Sequence, residues 1–359
     1  MTLRPLVRRR PALPALLAAA VLGAAGCASD EATADDGDNL GTVVVATSAD
    51  DFTGGQLAYT MAVANGYFEE EGVRIENYIT DTAPNTLQAL INDQVNVGFL
   101  SLSTTAQAVE QGRNVKLAAA VQITNDWSLI VSTAWLEDQG IDPQEYATWP
   151  IEERGAVLGD DALWATNSAG GLWERASAYL ADWFGFDPET DVQLAPLENI
   201  NKIAGIKDGS VQVWLASSPD NRLLVESGDA VEALSTQELV DEVPLVANAR
   251  AAETIVNDDW AQDNRELAEA FFRAYQRGAD FVVENSVDDI LAIAEEQYAD
   301  FDVERIRTVV EVNKENLPPD SRHAEEAIQA QIDFAVASGN ITDPLPIDEV
   351  YTDEYLPAE

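Results

Sequence analysis

The chain has 359 residues, 46% hydrophobic and 23% charged, a globular balance that excludes wholesale disorder and leaves room for two cores. Aspartate and glutamate number 64 against 20 lysines and arginines, a formal charge of −44. That deficit excludes nucleic-acid binding, because phosphate contacts need clustered Lys and Arg; it fits a solvated acidic surface suited to salty surroundings.

MTLRPLVRRR is a basic leader, and PALPALLAAAVLGAAG is an apolar run that ends in small residues just before Cys27. This is the pattern of a secretory signal. The small-residue end resembles the lipobox of bacterial lipoproteins, with Ala24 where that box usually has Leu. The resemblance implies a signal peptide over residues 1–26, a lipid on Cys27 and an extracytoplasmic protein anchored to the bacterial cell membrane. Cys27 is the single cysteine, so no intramolecular disulfide forms and the fold holds no thiol. Residues 27–41 are acidic and small and read as a flexible tether. No later run is long and apolar enough to span a membrane.

From Thr42 the chain alternates. TVVVAT is a β-branched strand, QLAYTMAVAN a helix closed by Asn65-Gly66, VRIENYI a strand, PNTLQALIND a helix, VNVGFL a strand, STTAQAVEQG a helix and VKLAAAVQI a strand. That order predicts a parallel sheet covered by helices. A second block repeats the grammar: ALWATN, the SAGG turn, LWERASAYLADWFGF, VQLAPL, NINKIAGIKDG and VQVWLASS. Ile91–Ser101 aligns with Ile206–Ser217, matching Ile91 to Ile206, Asp93 to Asp208 and Val97 to Val213. After Pro244 the pattern is largely helical, over 263–284, 287–299, 303–316 and 321–338, and a proline-bearing tail reads as a wrapping segment.

VANGYFEEEGVRIE, Val63–Glu76, stops a helix at one glycine and restarts as a strand after another. Phe68 is expected under the sheet, with Glu69–Glu71 in water. Followed by TLQALINDQVNVGF, this stretch resembles the nitrate/sulfonate/taurine-type solute-binding proteins of ABC importers, a group with thiamine-precursor-like members. TNSAGGLWERASAYLADWFGFDPETDVQLAPL and VQVWLASSP are similar to that family's second-lobe turn and hinge strand. The resemblance runs from Thr42 to Leu356. It implies an α/β, two-lobed type II periplasmic-binding-protein fold with a hinge of two crossovers, near Gln122–Trp127 and Asp241–Val246. Lobe one would be 42–123 plus 245–359, and lobe two 124–244. It further implies a small-molecule solute held between the lobes and an ABC permease with a separate ATPase subunit as partners; no cofactor is expected, and the residues themselves argue against catalysis.

Ligands of parallel sheets sit beyond the strands' carboxyl ends, where helix N-termini present free N–H groups. The loops there supply the candidates. Asp50, Asp51 and Phe52 follow the first strand; the aspartates either solvate the loop or pair with an ammonium group. Ser101, Ser103 and Thr104 offer hydroxyls, or simply cap a helix. Gln122 and Trp127 lie at the first crossover. Ser168 and Gly170 occupy a glycine turn suited to an oxyanion, and Asn199 and Ser217 follow strands of the second block. No Arg or Lys falls in these loops, so an anionic solute would rest on neutral donors, while an amine or a pyrimidine-type ring remains open. The rival class is a related enzyme of thiamine-precursor metabolism. The one histidine, His323, reads as exposed on a late helix, which leaves Ser-His and Cys-His chemistry and zinc sites without support.

Overall fold

The computed structural model describes residues 39–47, 56–80, 82–123, 125–159, 161–297 and 302–358, with side chains at 295–297 excepted. The leader, Cys27 and most of the tether lie outside these residues.

Among the described residues, ten strands form two sheets. In chain order they are β1 (Gly41–Thr47), β2 (Val73–Ile79), β3 (Val97–Leu100), β4 (Val115–Ala119), β5 (Trp127–Ser132), β6 (Ala162–Thr166), β7 (Val192–Pro196), β8 (Val213–Ser217), β9 (Ala230–Leu234) and β10 (Glu253–Asn257). The first sheet runs β2-β1-β3-β10-β4 and the second β7-β6-β8-β5-β9. β1 pairs parallel with β2 from Gly41–Val73 to Thr47–Ile79, and with β3 at Val45–Val97. β6 stands in the same relation to β7 and β8.

Each sheet is mixed rather than purely parallel. β10 is antiparallel to β3 and β4, and β5 is antiparallel to β8 and β9. The cause is topological. The chain leaves the first sheet after β4, enters the second through β5, and returns through residues 235–252 to insert β10. Each visiting strand arrives from the opposite direction. β10 is buried at all five residues, within the stretch that periodicity assigns to helices. The aligned segments Ile91–Ser101 and Ile206–Ser217 contain β3 and β8, which hold the central place in their sheets.

The helix-to-strand turn at Val63–Glu76 is built as its residues suggest. Helix Leu57–Ala64 ends at Asn65, and Gly66 takes the left-handed conformation (φ 72°) that reverses the chain. Phe68 is wholly buried, 5.0 Å from Phe271 and 5.6 Å from Tyr59 between ring centroids. Glu69 and Glu70 are exposed, whereas Glu71 is partly covered and pairs with Arg273 at 2.9 Å. Helix Arg265–Glu284 lies across helix Leu57–Ala64 at Gly278, where a Cβ would meet the Ala58 carbonyl oxygen at 2.1 Å. The tail wraps the first sheet: Tyr351 bridges to Leu117, and buried Tyr355 stacks on Phe272. No helix among the described residues is long and apolar enough to cross a membrane.

His323 corrects the sequence reading. It precedes helix Glu325–Ala337 rather than lying on a helix, and its side chain is 3% exposed. The run PPDSRHA delays the helix by four residues, because its prolines and capping residues favour a turn.

Candidate functional site

The strand ends converge on a cavity of about 260 Å³ walled by both sheets. Thr47 closes β1, Ser217 closes β8, and Asn167 directly follows β6; all three line it. This is the carboxyl-end location expected of a parallel arrangement. Four aromatic rings, Phe99, Trp127, Trp173 and Trp214, give it apolar wall. Trp127 and Trp173 lie 4.5 Å apart between centroids.

The first sheet contributes a threonine cluster. Thr82 caps helix Ala83–Ile91, accepting from Asn85 N at 3.4 Å. The Thr80 and Thr86 hydroxyls are 2.7 Å apart. All three threonines line the cavity.

Charge enters from helices that the loop reading did not consider. Arg305, on helix Val303–Asn316, pairs with Asp220 at the start of helix Asp220–Glu226. Their side chains are 17% and 10% exposed. The helix of Arg305 belongs to the first core through Ile306, Val309 and Val310, and Asp220 follows β8 of the second sheet, so the pair spans the cavity. Asn199 Nδ2 donates to the other Asp220 oxygen at 2.9 Å. Lys202 donates to Asn167 Oδ1 and sits 4.7 Å above the Trp214 ring. The loops beyond the strand ends offer only neutral donors and acidic groups; Lys202 and Arg305, both on helices, add cationic groups to the cavity lining. At the first crossover, Asp126 lines the wall and accepts from Arg222 Nε at 3.0 Å.

Of the residues singled out by sequence, Gln122, Trp127, Asn199 and Ser217 come together in the cavity lining. Ser101, Ser103 and Thr104 are buried among themselves. Ser101 Oγ caps helix Leu102–Glu110 by accepting from Thr104 N at 3.1 Å, and the three do not line the cavity. Ser168 and Gly170 also lie off the lining; Gly170 is exposed, at φ 72°, and its N–H goes to Glu174 Oε2. Asp50, Asp51 and Phe52 fall outside the described residues.

Helix Val303–Asn316 forms where its periodicity predicts, but its contribution to the cavity is what sequence reasoning missed. A signal was present. Its apolar stripe Ile306, Val309, Val310 and Val312 continues into Asn313, a polar residue at a buried position. Asn313 lines the cavity with Val312 and Arg305. No group of His, Cys, Asp and Glu among the described residues is arranged to hold a metal.

Residues 54–294 match the family model described as the NMT1-like family. The chain belongs to the NMT1-like family. YtlA of Bacillus subtilis (strain 168), named as a binding protein, is 20% identical to this NMT1-like chain over 298 residues, which is 82% of the chain and 83% of YtlA. The nitrate-binding protein NrtA of Synechocystis PCC 6803 superposes with a TM-score of 0.64 at 13% identity, covering 88% of this chain and 86% of NrtA. The alkanesulfonate-binding protein SsuA of Xanthomonas axonopodis pv. citri, solved with MOPS, superposes at 0.62 and 13% identity, covering 87% of this chain and 98% of SsuA. The fold is therefore the α/β periplasmic-binding fold, with a hinge of two crossovers between its sheets.

Proposed function

We propose that this NMT1-like chain is the extracytoplasmic solute-binding component of an ABC importer. The observation that carries the reading is the cavity itself. It lies between the sheets, has aromatic walls and hydroxyl and amide edges, and is spanned by the Asp220–Arg305 pair. A solute held by both sides favours the closed arrangement through its differential affinity for it. The closed form then docks on a permease whose ATPase is a separate subunit. The moving bodies are residues 42–123 with 245–359, and residues 124–244. The chain is held at the cell membrane by a lipid on Cys27.

The solute is small and of the sulfonate, taurine or nitrate kind. Lys202 and Arg305 supply cationic donors for an oxyanion, and the tryptophans supply apolar surface for a short chain or ring. Catalysis on this fold would require a proton-transfer group at the solute, because fold alone does not decide between binder and enzyme. The single histidine, His323, is committed elsewhere, against Glu253. Isothermal titration against sulfonates, taurine, nitrate and pyrimidines tests the reading. Saturable binding of an unaltered solute supports it; conversion of a solute to product contradicts it.

A further inference from the structure

Asn313 lines the cavity and is 3% exposed. Its Nδ2 donates to the Val309 carbonyl at 2.7 Å. Its Oδ1 is buried and receives no hydrogen bond from any described residue. The amide cannot simply be turned round, because rotation would set Oδ1 against the Val309 carbonyl oxygen, acceptor on acceptor. Among the described residues, a side chain that lines the cavity thus carries one unsatisfied, buried acceptor. A buried acceptor without a donor costs the full desolvation of that group, so it calls for an explanation.

The bond to Val309 does not supply one. In an α-helix that carbonyl already receives the backbone N–H four residues on, which is that of Asn313 itself. The side-chain bond fixes the amide's orientation and adds little to the helix. A leucine of similar shape would fill the position without leaving anything unpaired. The helix is nevertheless polar at two cavity positions, Arg305 and Asn313. The helix start reaches Asp220 through Arg305, and its end reaches the first crossover, where Ile123 N donates to the Asn316 carbonyl at 2.7 Å. Asn313 stands near the crossover end and Arg305 at the opposite end.

We infer that Asn313 is a specificity-determining contact whose Oδ1 accepts a hydrogen bond from the solute, and that the solute therefore carries an N–H or O–H donor. This rests on the solute-receptor reading and narrows it. A bare nitrate or an unsubstituted alkanesulfonate offers only acceptors and leaves Oδ1 unpaired. An amine-, amide- or hydroxyl-bearing solute satisfies it. A site built to bond a donor rejects the analogue that lacks one far more strongly than an apolar pocket rejects a missing methylene.

The test has two arms. The first uses no solute: thermal unfolding of the full chain and of Asn313→Leu. A solute-reading asparagine predicts that the variant melts at or above the wild-type temperature, because an orphaned acceptor has been removed. A clear loss of melting temperature makes Asn313 a structural residue and overturns the inference, whatever the protein binds. The second arm compares matched probes, taurine with ethanesulfonate, β-alanine with propionate, and 2-hydroxyethanesulfonate with ethanesulfonate, each by titration calorimetry. The inference predicts binding of a donor-bearing member at least tenfold tighter than its donor-free mate, with the preference lost in Asn313→Leu. Equal binding of mates, or a preference that survives in the variant, overturns it while leaving the receptor reading in place. Silence from every probe and from nitrate counts against both readings.

Discussion

His323 Nε2 lies 3.0 Å from Glu253 Oε2, and both side chains are almost wholly buried. Glu253 is the first residue of β10, so the contact sits where the chain re-enters the first sheet. The same carboxylate accepts from Val121 N at 3.2 Å, on the first crossover, and from Gln331 Nε2 at 3.2 Å. Arg250, on the second crossover, lies 3.7 Å away, and burial pulls its guanidinium below the usual arginine range against the favourable charge of Glu253. One buried acid thus ties both passages between the sheets. Two crossovers joined at one point bend together, which is the mechanical requirement for a hinge.

Glu253→Gln removes the negative charge and leaves Arg250 buried without it. Breaking a buried pair from one side costs about 3–5 kcal/mol. Urea unfolding should show a loss of this order at unchanged slope. A loss within a few tenths would show that the cluster carries no charge-dependent stability.

Gly278→Ala places a Cβ 2.1 Å from the Ala58 carbonyl oxygen and 2.8 Å from the Ala62 Cβ. Helix Arg265–Glu284 must then move off helix Leu57–Ala64. Overpacking of this kind costs about 1–3 kcal/mol, which outweighs the gain in helix propensity of roughly 1 kcal/mol. Chemical denaturation should therefore show net destabilisation; a stabilised variant would contradict the close crossing.

Glu238 predicts a pH dependence. Burial pushes its carboxyl up, but the Arg154 guanidinium and the Ser235 N–H and hydroxyl outweigh that and hold it below the usual range. Its folded-state value is depressed, so its contribution to stability is present above the unfolded value, near pH 4.3, and is lost as pH falls through the folded value. Glu238→Gln should be less stable than wild type at pH 7, with the gap closing in acid. A gap that widens toward acid would reverse the assignment. Glu238 also completes a capping box with Ser235, and Ser235→Ala should cost about 1 kcal/mol at neutral pH.

Ser217 ends β8 in the cavity wall and is only partly buried. Ser217→Trp should fill the cavity and abolish solute binding, while leaving the unfolding temperature within a few degrees of wild type. Retained affinity would place the solute elsewhere.

The architecture was legible because its signals are local. β1 and β3 are β-branched or apolar runs, and the Asn65-Gly66 stop is the chemistry of a helix end. β5 and β10 were not legible. WSLIVS and ETIVN are short and apolar, and their strand character comes from insertion into a sheet made elsewhere in the chain. The site divides the same way. Gln122, Trp127, Asn199 and Ser217 fell in loops beyond strand ends, where the fold predicts a ligand. Arg305 and Asn313 line the cavity from a helix about a hundred residues further on. His323 looked exposed because its partner, Glu253, is seventy positions away in sequence. Ser101, Ser103 and Thr104 share the right sequence context but turn their hydroxyls onto one another and the helix cap.

The most direct measurement is thermal unfolding of the purified protein across a solute panel: alkanesulfonates, taurine, nitrate, bicarbonate, amino acids, amines and pyrimidines. A receptor saturated at a hundredfold excess over its dissociation constant gains about 2.7 kcal/mol. For a chain of this size that raises the midpoint by roughly 4 °C. The account predicts a saturable rise of this size with one chemical class, abolished by Ser217→Trp. No rise with any class, or a rise that the filled cavity leaves intact, would contradict it.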